Sequence, residues 1–172
     1  MHLISFGIFG LSMILLYAAS TFYHKTTEPQ LRFRLKVFDH ACIYILIAGT
    51  YTPFTLVTLR GTWGWSMFVL VWILALLGVV MKLFFTGRFK RLSTLMYLLM
   101  GWVMIIAFKP MMENLSTSGL FWVVAGGLFY TLGAIFYSIK KIKFNHAIFH
   151  VFVLLGTFSH YVAVFFHVVP IT

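Results

Sequence analysis

Negative charge is nearly missing from this chain, whose 172 residues hold three acids, Glu28, Asp39 and Glu113, against thirteen Lys and Arg. Charge of either sign is scarce, at 9% where soluble domains carry about 25%, and that excludes a globular domain wrapped in water. A single cysteine, Cys42, lies inside an apolar stretch; it excludes an intramolecular disulfide and carries no information on redox compartment. What remains is apolar, with 62% hydrophobic and 19% aromatic residues. The solvent that satisfies such a surface is a lipid bilayer. The net charge of +10 would point to nucleic acid in a soluble protein. Here the basic residues fall between apolar runs, where they act as topology signals and contacts to anionic headgroups, and nothing points to nucleic acid, nucleotide or haem.

A helix needs about 20 apolar residues to cross a hydrocarbon core. Six stretches qualify, near 2–23, 37–58, 63–86, 92–109, 119–139 and 146–169. The breaks between them, 25–36, 60–62, 87–91, 110–118 and 140–145, are short and polar or basic, as links between antiparallel helices are. The expected fold is all-α, a polytopic transmembrane bundle forming a single domain over 1–172, with no repeat, low-complexity tract or linker. A signal peptide at the start is the weaker reading, because the first run has no basic leader and is too long for an apolar signal core.

Alternating spans sort the thirteen basic residues eleven to two. Lys25, Arg32, Arg34, Lys36, Lys82, Arg88, Lys90, Arg91, Lys140, Lys141 and Lys143 share one side, and Arg60 and Lys109 the other. Because cytoplasmic loops carry the excess of Lys and Arg, loops 25–36, 87–91 and 140–145 are expected in the cytoplasm of a multi-pass cell-membrane protein. Both ends of this chain are then outside.

Ionisable groups inside a membrane are costly and mark sites. His24 closes the first span at its cytoplasmic end, Asp39 opens the second at that end, and His146 and His150 open the sixth there too. His146 and His150 are four residues apart and share a helical face. Ser20 stands in the same relation to His24, one turn deeper. Three neutral imidazoles are a ligand set for catalytic zinc that leaves a fourth position for water. The plainer readings are interfacial side chains for the histidines and, for Asp39, a charge complementing a helix N-terminus.

His160 and His167 continue roughly along the face of His146. At about 1.5 Å per residue His160 stands about 15 Å from His150, too far for one ion, so it reads as a buried hydrogen-bonding residue, with a proton path as the outside alternative. His167 reads as structural, and His40, about 100° around the helix from Asp39, faces elsewhere. Gly126, Gly127, Gly133 and Ala134, with Gly7, Gly10 and Gly78, suit close helix approach. Pro53 should bend its helix, and Trp63 and Trp65 suit an outer aromatic belt.

The constellation Ser20-x3-His24, Asp39 and His146-x3-His150, together with LIAGTYTPFTLVT (46–58), GTWGW (61–65) and GRFKRLSTLMYLLMGW (87–102), resembles the haemolysin III family, kin to the progestin and adipoQ receptors and more distantly to the alkaline ceramidases. The resemblance covers essentially the whole chain. It implies a seven-helix membrane protein of which the six spans match helices 2 to 7, the family's first helix having no counterpart after Met1. It further implies a zinc ion bound by His24, His146 and His150 near the cytoplasmic face, with Asp39 holding a metal-bound water and Ser20 beside it. Three functions stay open at this point. One is zinc-dependent hydrolysis of a lipid amide or ester, with Asp39 and Ser20 catalytic and lipid entering between helices. A second is a sensor or regulator of membrane lipid state with structural zinc. The third is a pore-forming cytolysin, which fits poorly with polar residues clustered at one end of the spans.

Overall fold

A computed structural model describes residues 1–86 and 90–169 of the chain. They are helical throughout, without strands among the described residues, and six of the helical runs are long and apolar enough to cross a membrane: His2–Lys25, Pro29–Leu59, Gly61–Phe85, Leu92–Asn114, Thr117–Ser138 and Asn145–Val168. The all-α, six-span expectation therefore holds. The described chain divides into two compact units, Met1–Met100 and Gly101–Thr172.

The first unit contains α1 (His2–Lys25), α2 (Pro29–Pro53) continued by a π-helical segment (Phe54–Leu59), α3 (Gly61–Phe85) and α4 (Lys90–Gly101). Helix α1 packs on α2, and α2 on α3. The buried residues of α1 are Ser5, Phe9, Ser12, Leu16 and Ala19, an alternation of four- and three-residue steps that makes a narrow seam of heptad type. Where that seam meets α2 the backbones come close, since a Cβ on Gly49 would lie 2.7 Å from the Cβ of Ser12. Helix α2 is the enclosed element, with 72% of its apolar window buried against 28% for α1 and 22% for α3. Lipid offers no hydrogen bonds to its polar residues, so Thr50, Thr52 and Thr55 turn their hydroxyls back to the carbonyls of Leu46, Ala48 and Tyr51.

Two loop boundaries differ from the expectation. The chain is helical from Pro29, not from 37: Glu28 caps α2 by accepting from the backbone N–H groups of Gln30 and Leu31, and Pro29 fills the first turn, where a proline costs no hydrogen bond. Hydropathy misread these turns because they are charged. The expected loop at 110–118 shrinks to 115–116, since α5 (Phe108–Asn114) contains Pro110 at its third residue, a position whose N–H has no helical partner in any case. The fourth span is instead broken upstream, where Val103–Ala107 tightens to a 3-10 turn. The basic loop expected at 87–91 falls largely outside the described residues, and so does Arg88.

At Pro53 the helix changes winding without stopping. The π-helical segment follows, ending in two residues of positive φ, Arg60 at 50° and Gly61 at 53°. Gly61 adopts that region freely, whereas Arg60 is held there by a hydrogen bond from its Nε to the Val57 carbonyl, 2.7 Å. Trp63 and Trp65 follow, 53% and 49% exposed, as an aromatic belt requires.

In the second unit α6 (Thr117–Ser138) packs on α7 (Asn145–Ala163), which ends in a π-helical turn (Val164–Val168). Gly126, Gly133 and Ala134 are buried, and a Cβ on Gly133 would lie 2.9 Å from that of Phe152, so the small residues of the fifth span do permit close approach. Gly7 and Gly10 do not share this role, having open space where a Cβ would stand. Ser116 caps α6 through Gly119 N–H and also bonds Nδ1 of His167, 2.8 Å; His167 is the structural residue it was read to be.

Candidate functional site

In the first unit Ser20 and His24 lie one turn apart on α1, and Asp39 lies on α2. The sequence placed Asp39 at a helix start, where a carboxylate merely complements the dipole. Since α2 begins at Pro29, ten residues earlier, that plain reading fails. Asp39 is 7% exposed and takes a hydrogen bond from the Ser20 side chain. A carboxylate sunk this far into a membrane span needs such a donor, because an unsatisfied buried charge is among the costliest features a fold can keep. The donor also fixes the carboxylate's orientation, leaving lone pairs available. His24 is exposed, with its ring 4.6 Å from that of Tyr23.

In the second unit His146 and His150 stand on consecutive turns of α7, half-buried, their ring centroids 4.7 Å apart and tilted by 57°. That spacing lets both imidazoles turn one nitrogen toward a shared point. The hairpin before them is tightly held. Phe144 takes a left-handed conformation at φ 61°, and Asn145 donates from Nδ2 to the carbonyls of Tyr137, 3.1 Å, and Ile139, 3.4 Å. The Tyr137 ring stands 5.6 Å from that of His146, edge-on, and Lys140 Nζ lies 4.6 Å from the centroid of the same ring. Tyr137 packs against His146 and Phe149, a contact that sequence reading missed; the available signal was a phenol near the end of the span preceding the histidine pair.

His160 is the hydrogen-bonding residue it was read to be. His160 donates from Nε2 to the Val123 carbonyl, 3.1 Å, in a notch opened by Gly126, where a Cβ would collide with its ring. The backbone carbonyl of His40 accepts from the Tyr97 hydroxyl, 2.9 Å. His24, His146 and His150 remain as the three-imidazole donor set that could hold a metal ion. Its chemistry suits a borderline-soft divalent cation, and the spacing of the α7 pair fits two of the three ligands.

Residues 1–161 match the sequence profile of a family described as Haemolysin-III related. The chain is 47% identical over 167 residues to Hemolysin-3 of Bacillus cereus, covering 97% of this chain and 76% of that protein. It is 50% identical over 169 residues to the Hemolysin-3 homolog of Bacillus subtilis (strain 168), covering 98% and 79%. A more distant likeness, 29% over 163 residues, covering 91% and 67%, joins it to the human Monocyte to macrophage differentiation factor.

Proposed function

We propose, for a chain that belongs to the haemolysin-III related family, that it is a metal-dependent hydrolase acting on an amide or ester bond of a membrane lipid. His24, His146 and His150 would hold one zinc ion at the cytoplasmic face. A bound zinc ion supplies Lewis acidity, which makes water nucleophilic near neutral pH. The protein's own residues do the rest. The Asp39 carboxylate, oriented by Ser20, takes the proton of an attacking water on a free oxygen and then returns it to the leaving nitrogen or oxygen. The Ser20 hydroxyl keeps that carboxylate from turning toward the apolar wall. The half-buried histidine pair keeps the site at the level of the headgroups, where the scissile bond of a lipid lies. The single observation that carries this reading is Asp39, a nearly buried acid in a chain with three, held by the side chain that stands one turn from His24. A regulator with structural metal would not need it.

The experiment has two stages. Metal content is first measured by inorganic mass spectrometry on detergent-purified native chain, His150→Ala and His160→Ala. About one zinc per chain in the native protein, lost in His150→Ala and kept in His160→Ala, is the expected result. Hydrolysis of short-chain ceramides and lysophospholipids is then compared for native protein and Asp39→Asn. The asparagine variant should keep its zinc and lose activity by about 10²–10⁴-fold. A folded native protein without metal, or an Asp39→Asn variant of full activity, would sink the proposal. In the second case the lipid-sensor reading takes its place.

A further inference from the structure

The sequence places Lys82 among the loop cations, and the structure does not. Among the described residues it is the one buried lysine or arginine, 5% exposed, three residues short of the end of α3. Its Nζ lies 5.6 Å from the centroid of the Tyr97 ring. The ring of Tyr44 packs against the same tyrosine, centroids 4.5 Å apart, and fills the notch at Gly78, one turn before Lys82 on its own helix. Tyr44 is 1% exposed, and among the described residues its hydroxyl has no hydrogen-bond partner. A second cation, Lys36 of α2, is near enough for its charge to act on Lys82.

No acid answers these charges. Among the described residues Lys82 has no carboxylate partner. The two acids of this unit are engaged elsewhere, Glu28 at the start of α2 and Asp39 with Ser20. A lysine in lipid ordinarily snorkels its ammonium outward. This one is buried over the Tyr97 ring, against which Tyr44 also packs. Uncompensated buried charge is strongly unfavourable, so the arrangement calls for a counter-charge that the described residues of this unit do not supply. Its depth, one turn from the end of a spanning helix, is that of the headgroups, and compact lysine charges with a hydroxyl donor suit phosphate oxygens.

We propose that Lys82, Lys36 and the Tyr44 hydroxyl form an anion site in the first unit that takes a phosphate group, presented by an anionic phospholipid headgroup or as free phosphate. The proposal rests on none of Asp39, Ser20 or the histidines, and holds whether or not the hydrolase reading does.

The test uses the full chain in detergent. Native mass spectrometry measures retention of dioleoylphosphatidylglycerol against dioleoylphosphatidylcholine for native protein, Lys82→Met and Tyr44→Phe, and inorganic phosphate is added as competitor. Native protein should prefer phosphatidylglycerol by about tenfold or more. Lys82→Met should bring the preference to near unity, and Tyr44→Phe should lower it about 2–10-fold. Competition by millimolar phosphate assigns the site to free phosphate, and failure to compete assigns it to the headgroup. Because Tyr44→Phe removes a hydroxyl that bonds nothing among the described residues, it keeps the test alive if Lys82→Met does not fold. A native protein that prefers neither anion, or a folded Lys82→Met or Tyr44→Phe with unchanged preference, overturns the proposal.

Discussion

The notch between Gly126 and His160 gives the sharpest test of the packing in the second unit. A Cβ at Gly126 would stand 2.5 Å from His160 Cδ2 and 3.0 Å from Cε1, and its three nearest neighbours are all atoms of that ring. Ordinary contact begins near 3.4 Å, so Gly126→Ala drives a rigid imidazole back by about an ångström. The retreat breaks the 3.1 Å bond from Nε2 to the Val123 carbonyl and presses the ring toward Tyr130, whose centroid is 5.5 Å away. Overpacking of this kind costs about 1–3 kcal/mol and a hydrogen bond within a membrane about 0.6 kcal/mol. Exchanging glycine for alanine in a helix returns about 0.8–1 kcal/mol. The net expectation is a loss of about 1–3 kcal/mol. In a His160→Ala background the obstructing ring is gone, and the same substitution should become neutral or stabilising by up to about 1 kcal/mol. Reversible unfolding of the four proteins in mixed micelles measures the cycle, with an expected coupling of about 1–4 kcal/mol. If Gly126→Ala costs the same in both backgrounds, within about 0.5 kcal/mol, the notch is not what the glycine is for.

Gly64→Ala should be worse tolerated than Gly127→Ala. The first sets a Cβ against the backbone carbonyl of Thr55 while the second meets the Trp102 ring at 3.6 Å, so thermal unfolding should separate a loss of about 1–3 kcal/mol from one within about 0.5 kcal/mol. Glu28→Ala removes the acceptor for Gln30 and Leu31 N–H and should cost about 0.5–2 kcal/mol without changing metal content; a loss of metal would show that the start of α2 is coupled to the histidines. Chelation should lower the unfolding temperature of the native chain, since an ion at 100 times its Kd stabilises by about 2.7 kcal/mol. His150→Ala should be indifferent to the chelator, and an equal shift in both would place the metal elsewhere.

The spans were legible because the bilayer imposes one requirement, length at high hydropathy, that reads directly from composition. Their ends were not. Arg32, Arg34 and Lys36 belong to a helix that runs on beyond its apolar core, and charge there says only that water or headgroups are near. Pro110 looked like a break because proline ends a helix interior, but it occupies a first turn, where that rule does not apply. The α7 histidine pair was legible from spacing alone, as was the separate standing of His160. The Ser20 bond to Asp39 was not, because it joins two helices and depends on how α1 lies on α2. Lys82 was misread for the same reason: a lysine near a span end reads as a loop charge unless its side chain is seen to turn inward.

The junction at Arg60 and Gly61 has a mechanical meaning. Two consecutive residues of positive φ reverse the chain with no slack, the Arg60 side chain clasps the preceding turn, and Gly64 seats α3 directly on the Thr55 carbonyl. Two rods joined so rigidly at one tip cannot slide past each other. The two helices are pinned at this tip, and any change of angle between them would be magnified along the 25 residues of α3 into its largest displacement at the other end. Asp39, Lys36 and Lys82 all lie toward that other end, so whatever binds there works against the longest lever arm the first unit possesses.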